Sequence, residues 1–342
     1  MADRPNYEAT ADDDPRAADR RADLDLLTEA TLAARRAPSI LNTQPWVWQL
    51  RGNAAELWLD RDRHLPGLDP DGRLALLSCG AALHHALTTL RAQRYAGIVE
   101  RLGDRRLPDL IARVRCGTAC TPDYALSRAI YARRTDRRPF ADQPLGAEDF
   151  DALQTVAHRH QVSLTILTSV QEAEFARIVA AADAVEHASR PMVRDLRAWT
   201  TRPVESGDGI SSRSVTEGGD RAIAPRVFDP RQRPGLPLGP GTEGGTRHAV
   251  LTTREDQQLD WLTAGEALSD VWLTLTSRGL AASPLSEVIE TRPAREALRD
   301  LLRTDRFPAI ALRVGCPADL GRAVPASARR PESDVLRLPG GP

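Results

Sequence analysis

The chain has 342 residues, 41% of them hydrophobic, with a formal net charge of −1. That is enough apolar material for one sizeable core or two packed lobes, and the balance of charge removes any global field that would draw the chain to nucleic acid or an anionic membrane. No lysine occurs, which excludes a Schiff-base lysine, a phosphate-loop lysine, a kinase-type lysine and a Ser-Lys dyad and leaves phosphate binding to the planar fork of arginine.

Residues 1–21 read as a disordered tail, polar and acidic, without the apolar stretch of a signal peptide or anchor. A helix is expected from Asp23 to Arg36, with Leu24, Leu27, Ala30 and Ala34 at helical spacing, ending before Pro38 as a residue preceding proline prefers. Trp46–Leu50 and Ala55–Leu59 read as a strand pair turning at Gly52-Asn53, with Trp46 and Trp48 alternating so that one of them faces the core. Then follow a long apolar helix from Arg73 to Gln93 that carries His84 and His85, strands at Gly97–Arg101 and Leu110–Arg115, and a helix starting near Tyr124. A helix at Ala147–His158, a strand at Val162–Leu167 and a helix at Gln171–His187 complete this run. No GxGxxG follows any strand, which argues against a doubly wound dinucleotide fold, and no apolar run reaches the roughly 18 residues of a membrane span.

Four scattered cysteines, Cys79, Cys116, Cys120 and Cys316, form no zinc pattern and are expected as reduced thiols in a cytoplasmic protein. His158 and His160 lack a third ligand nearby in sequence, so no metal is expected. No Gly-x-Ser-x-Gly supports hydrolase chemistry. Residues 202–247 are crowded with Gly, Pro, Arg and Ser; a structureless stretch this long reads as a lid over a site or as a flexible insertion.

An internal repeat joins two distant helices. Leu77–Leu83 resembles Leu262–Leu268, and Gly80 and Gly265 occupy matching places in the two. Glycine within a helix costs about 1 kcal/mol relative to alanine, so both glycines call for close approach of a neighbour. Two related lobes in one chain would mimic a homodimer, with these helices at a pseudo-twofold.

Two motifs carry the chemistry. Ala37 to Trp46 offers small hydroxyl and amide groups on a turn that opens with proline and closes with an aromatic; Arg133 to Phe140 offers a dense guanidinium cluster. Taken singly, the arginine run reads as a solvated helix end and Arg329-Arg330 as a surface pair, while the amide turn reads equally as a fastening to the core or as part of a site. Taken together with Gly279–Glu287 and Arg329-Arg330 they resemble the nitroreductase superfamily, specifically the Acg-type FMN-binding oxidoreductases, whose single chains fuse two nitroreductase-like lobes.

The resemblance implies an α+β, nitroreductase-like fold (the FMN-dependent nitroreductase fold) with two lobes forming an intramolecular pseudo-dimer: a first lobe over 22–123 and a second over 124–336, with 202–247 as lid or insertion. It implies one surviving flavin site. There Arg133 clamps the phosphate, Thr135 donates its hydroxyl, and Arg137 lies near the N1/O2 edge, where related proteins often place lysine. Pro38, Ser39 and Asn42 contact the flavin from the other lobe, Pro284, Leu285 and Ser286 pass near N5, and Arg329 and Arg330 close on the phosphate. It further implies that hydride passes from NADH or NADPH to flavin N5 and two electrons go on to a nitroaromatic, quinone or activated alkene, with no side chain identified as catalytic acid. The alternatives are a flavin-sequestering stress protein with an occluded FMN site, and a flavin-dependent tailoring dehydrogenase. The partners expected are small molecules only, with no nucleic acid and no membrane. A fused pseudo-dimer is a monomer by default, with a homodimer as the alternative.

Overall fold

The computed structural model describes residues 15–338, apart from 104, 105, 220, 230 and 232. Most of the expected tail lies outside the described residues, but from Pro15 onward the chain is helical: α1 runs Pro15–Ala34. Its Leu27, Ala30 and Ala34 are buried, one stripe of an amphipathic helix.

Strands β1 (Trp46–Arg51) and β2 (Ala54–Leu59) pair antiparallel from Trp46↔Leu59 to Arg51↔Ala54. The turn between them is Gly52-Asn53, with Gly52 in the left-handed region that a tight hairpin needs. Trp46 and Trp48 are both fully buried, not just one of them. Helix α2 (Arg73–Ala92) starts where the Asp69 carboxylate accepts the Leu74 and Ala75 amides. Strands β3 (Tyr95–Arg101) and β4 (Leu110–Ala119) follow, then α3 (Tyr124–Ala132), capped by Asp123.

Helix α4 (Ala147–Arg159), strand β5 (Ser163–Ile166) and helix α5 (Ser169–Ala188) come next, α5 opening with a Thr168/Gln171 capping box. Helix α6 (Arg190–Thr200) was not foreseen; Pro191 in its first turn suits a helix start. The rest comprises β6 (Arg247–Thr253), α7 (Gln258–Ser277), β7 (Ala281–Leu285), α8 (Glu287–Glu290), α9 (Arg292–Leu302), β8 (Phe307–Gly315), α10 (Glu332–Val335) and β9 (Leu336–Arg337).

The strands form two sheets, one in the order β3-β4-β2-β1-β9 and one in the order β5-β6-β8-β7. All pairings are antiparallel except β1 with β9. The last strand of the chain therefore lies on the first sheet, not the second. Each sheet has its own apolar core: one around Trp46, Trp48, Leu57, Leu83 and Ile111, the other around Phe175, Val250, Trp272 and Leu312. Helices α2 and α7 lie between them and trade residues, since α2 gives Leu74 and Leu77 to the second core while α7 gives Leu262 to the first.

Gly80 and Gly265 meet where α2 crosses α7. A Cβ on Gly80 would strike the Leu262 carbonyl oxygen and lie 3.0 Å from the Gly265 Cα, and one on Gly265 would strike the Leu77 carbonyl. The absent side chains let the two backbones touch. One turn further along, His84 and His85 of α2 face Ser269 of α7.

The 202–247 segment is irregular but fastened. The Ile210 amide donates to the Trp199 carbonyl (2.8 Å) and the Leu236 amide to the Val215 carbonyl (3.0 Å). Val215 and Phe228 pack with Leu41, Leu65, Met192, Leu196 and Trp199 in a third, smaller core. Among the described residues no helix is long and apolar enough to cross a membrane.

Candidate functional site

Both sequence motifs open onto one cavity of about 780 Å³, within the range of small-molecule and cofactor sites. The Pro38–Asn42 turn, the Arg133–Arg137 stretch, the end of β7 with Ser286, and Pro325–Arg329 supply its walls, together with much of the 202–247 segment. Arg133 stands at the end of α3; Thr135 then bridges to Ala282 of β7, so the arginine motif and the Pro284–Ser286 strand end lie side by side. Of the residues expected at the site, Pro38, Ser39, Asn42, Arg133, Thr135, Arg137, Pro284, Leu285, Ser286 and Arg329 all line this cavity.

Arg330 does not. Its guanidinium turns away, donating to the Gln44, Trp46 and Asp334 carbonyl oxygens and pairing with Asp60 at 3.2 Å. Adjacent residues on an extended chain point oppositely, so only one of the Arg329-Arg330 pair can face the cavity.

The turn that carries Asn42 is unusual backbone. Leu41, Asn42 and Gln44 all have positive φ, between 44° and 55°, a conformation that non-glycine residues hold only when their surroundings enforce it. The enforcement is visible. Asn42 donates its amide to the Gly209 and Ala328 carbonyls and accepts from Arg329 at 3.0 Å. Gln44 donates to the Gly207 carbonyl (2.9 Å) and accepts the Arg330 amide (3.0 Å). Both amide side chains thus tie the 202–247 segment and the C-terminal stretch to the turn, and the Asn42 amide is fully engaged in doing so. Gly207 and Gly209, both at positive φ, permit the approach: a Cβ on them would strike the Arg329 and Trp199 carbonyls.

The electrostatics divide the cavity in two. At one end Arg133 is buried and Arg329 half-buried, and among the described residues no carboxylate pairs with either. Arg133 stacks on Trp272 at 4.5 Å and donates to the Arg36 carbonyl; Arg329 donates to Asn42 and to the Arg36, Ala37, Ser327 and Ala328 carbonyls. The Nε of each has no partner. Burial, then repulsion from Arg329 and Arg134, holds the Arg133 guanidinium well below its ordinary value. Burial, then Arg36, Arg134 and Arg35, lowers Arg329 to about 10. Arginine does not deprotonate in proteins, so these depressions register positive charge that lacks a counterion.

At the other end Arg226 and Arg313 have carboxylate partners and, among the described residues, Arg137 does not. Arg226 pairs with Glu290 at 2.7 Å and with Glu186, and also donates to Ser286. Arg313 pairs with Glu243 and lies over the Phe140 ring at 3.9 Å. Arg137 donates to the Ser214 carbonyl at 3.0 Å; burial, then Arg226, lowers it to about 10, against the pull of Glu287. Glu287 itself is buried on the cavity wall with one carboxylate oxygen unpartnered, and burial raises its pKa against the pull of Arg226.

Sequence reasoning did not single out Arg226, Arg313, Trp272 or Glu287. Signals existed for three of them. Arg313 is the one charged residue in the apolar run Ile310–Val314, Trp272 lies on the repeat helix, and Glu287 directly follows Ser286.

No family model matches the chain. A Mycobacterium tuberculosis protein provisionally named an NAD(P)H nitroreductase is 34% identical over 326 residues, covering 91% of each chain. The acg protein of the same organism, likewise provisionally named an NAD(P)H nitroreductase, is 30% identical over 92% of this chain and 96% of its own. Among solved structures, the FMN-dependent nitroreductase NfnB of Mycobacterium smegmatis in complex with NADPH is 16% identical, with a TM-score of 0.40 over 62% of this chain and 97% of that one.

Proposed function

Because the chain belongs to the nitroreductase family, with Acg-type proteins among its relatives, we propose that it is an FMN-dependent oxidoreductase that draws electrons from NAD(P)H and passes them to a small acceptor. The observation that carries this reading is the pair Arg133 and Arg329: one buried and one half-buried guanidinium group lining one cavity, without a carboxylate partner among the described residues and each with an unpartnered Nε. A phosphate dianion is the ligand that such a pair fits, since its oxygens accept from both forks at once. We further read the two sheets, joined through the glycine-paired helices, as two fused nitroreductase-like lobes that share this one site.

The remaining walls suit the rest of FMN. Leu74, Leu77, Leu268 and Ile310 offer apolar surface against which a flat ring system loses its hydration. Arg137, which among the described residues pairs with no carboxylate, places positive charge in the cavity apart from Arg133 and Arg329, where it would stabilise negative charge on a reduced ring, while Arg226 and Arg313 are neutralised by Glu186, Glu290 and Glu243. When bound, FMN would supply two-electron chemistry between the nicotinamide and an acceptor such as a nitroaromatic, a quinone or an activated alkene. The residues' own work is to hold and orient the ring, set the local field and restrict access.

A second reading, a protein that stores flavin with little turnover, is favoured by one observation: the fastened 202–247 segment covers one side of the cavity. A single experiment separates the readings. Purified protein is loaded with FMN and its absorption followed anaerobically as NADPH and then NADH are added. Prompt bleaching supports the oxidoreductase; a flavin band that resists both nucleotides but yields to dithionite supports the store; failure to retain FMN overturns both.

A further inference from the structure

A second polar cluster lies away from this cavity, at the interface of α2 and α7 where α4 ends. His84 of α2, Asp270 of α7 and His160, which caps α4, bring two imidazoles and a carboxylate together. His160 Nε2 is 3.0 Å from Asp270 Oδ2, and His84 Nε2 is 3.7 Å from the same oxygen. The two imidazole rings stand edge to face with centroids 5.5 Å apart.

Three features of this cluster point to a ligand. The first is spacing: ligand atoms about 2.0–2.1 Å from a tetrahedral zinc ion sit roughly 3.3 Å from one another, and 3.0 and 3.7 Å straddle that value. The second is an orphan. Asp270 is only 4% exposed, yet its Oδ1 has no hydrogen-bond partner, a costly state for a buried carboxylate. The third is the outer layer. His84 Nδ1 is 2.8 Å from Ser269 Oγ, and His85 Nδ1 is 2.9 Å from the same oxygen. Two proton orders satisfy that chain; the one that suits a metal has His84 Nδ1–H donating to Ser269, whose hydroxyl donates to His85 Nδ1. It leaves His84 Nε2 as a bare lone pair aimed at the cluster, the arrangement in which an outer hydrogen bond fixes a metal-binding histidine.

We propose that His84 Nε2, His160 Nε2 and the Asp270 carboxylate bind one divalent transition-metal ion, zinc by the chemistry of the donor set. His160 keeps a partly exposed side chain, which gives the ion a way in and leaves room for a water as fourth ligand. The ion would clip α4 to the α2–α7 pair, whose Trp272 and Leu268 form part of the cavity wall. The sequence did not suggest the site because its three ligands lie 76 and 110 positions apart along the chain, counted from His84 to His160 and from His160 to Asp270.

The test uses purified full-length protein without a polyhistidine tag, freed of metal by chelator and titrated calorimetrically with Zn²⁺. The expected result is one ion per chain with sub-micromolar affinity and a higher melting temperature in zinc. His160→Ala and Asp270→Asn should each weaken binding by about 100-fold or more, and Ser269→Ala by about tenfold, as loss of an outer partner does. Co²⁺ in place of Zn²⁺ should give the visible bands of a tetrahedral ion in the wild type only. A wild-type protein that binds no Zn²⁺ would overturn the proposal whatever the variants do. So would zinc binding of undiminished affinity in both His160→Ala and Asp270→Asn.

Discussion

Gly80 and Gly265 touch backbone to backbone, and neither has room for a methyl group: each Cβ would meet a main-chain carbonyl of the opposite helix. Alanine at position 265 would improve helix propensity by about 1 kcal/mol, but a backbone carbonyl cannot swing aside as a side chain can. Forcing α2 and α7 apart costs more than that gain, as overpacking does. Gly265→Ala should therefore lose about 1–3 kcal/mol in urea unfolding, while Gly218→Ala, where nothing lies within 4 Å, should change little. Equal stability of the two variants would refute the close crossing.

Arg329 and Arg330 are neighbours with opposite assignments. Arg329→Ala and Arg133→Ala each remove one unpaired cation from the cavity wall and should raise the FMN dissociation constant at least tenfold, in line with a lost charge-assisted hydrogen bond of about 1.5–3 kcal/mol. Arg330→Ala takes one of two cations from the Asp60 carboxylate, which keeps Arg63, and removes a donor from several carbonyls, so its main effect should be a loss of about 1–3 kcal/mol of stability. Flavin retention and thermal unfolding, measured on all three, would reveal whether the roles are exchanged.

Two carboxylates, Glu186 and Glu290, converge on the single cation Arg226. Burial, opposed by Arg226, pushes Glu186 up to about 7. The folded state then holds a proton that the unfolded chain has released above the ordinary carboxylate range. Stability should consequently fall as pH rises from about 4.5 to about 7 and level off beyond. Glu186→Gln removes the charge and should flatten this part of the profile, making the variant more stable than wild type at pH 8 but not at pH 4.5. Melting temperatures across that range test it; a variant less stable at pH 8 would show that Arg226 needs both charges.

The Asp208 carboxylate is fully buried, held by Arg63 at 2.7 Å and by Arg202 and Ser206. Burial pushes its pKa up, but these hydrogen bonds outweigh the burial and hold it below the ordinary value. It pins the start of the 202–247 segment beside the Asn42 turn. Asp208→Asn should loosen that segment first, since local opening needs only the local contacts to break. Arg213 and Arg221 lie within it, so trypsin should cleave the variant there about tenfold faster. An unchanged cleavage rate would mean that other contacts do the fastening.

Much of the plan was legible because it rests on local patterns. The two-residue turn after Arg51, the proline at 38 and the apolar stripes of α1 and α2 each declare an element over a few residues. The pairing of Gly80 with Gly265 was legible because a repeat recorded it twice. What escaped depends on partners distant in sequence. Trp46 and Trp48, two positions apart on β1, share one face of the sheet, and both are buried in the core with Leu27 of α1, Leu83 of α2 and the returning Val335 and Leu336. Helix α6 was missed because its Met192, Leu196 and Trp199 gain meaning only against Leu41 and Leu65, far upstream. Arg330 reads like Arg329 until the direction of an extended backbone is known. His160 looks solitary until two helices bring His84 and Asp270 to it.

Strand β9 docks on β1, and the stretch just before α10 and β9 supplies Pro325–Arg329 to the cavity. The site is therefore assembled from segments nearly three hundred positions apart, from Pro38 to Arg329. A nascent chain on the ribosome, or one truncated before residue 325, has the Asn42 turn but not the Arg329 that braces it, and lacks half of the unpaired cation pair.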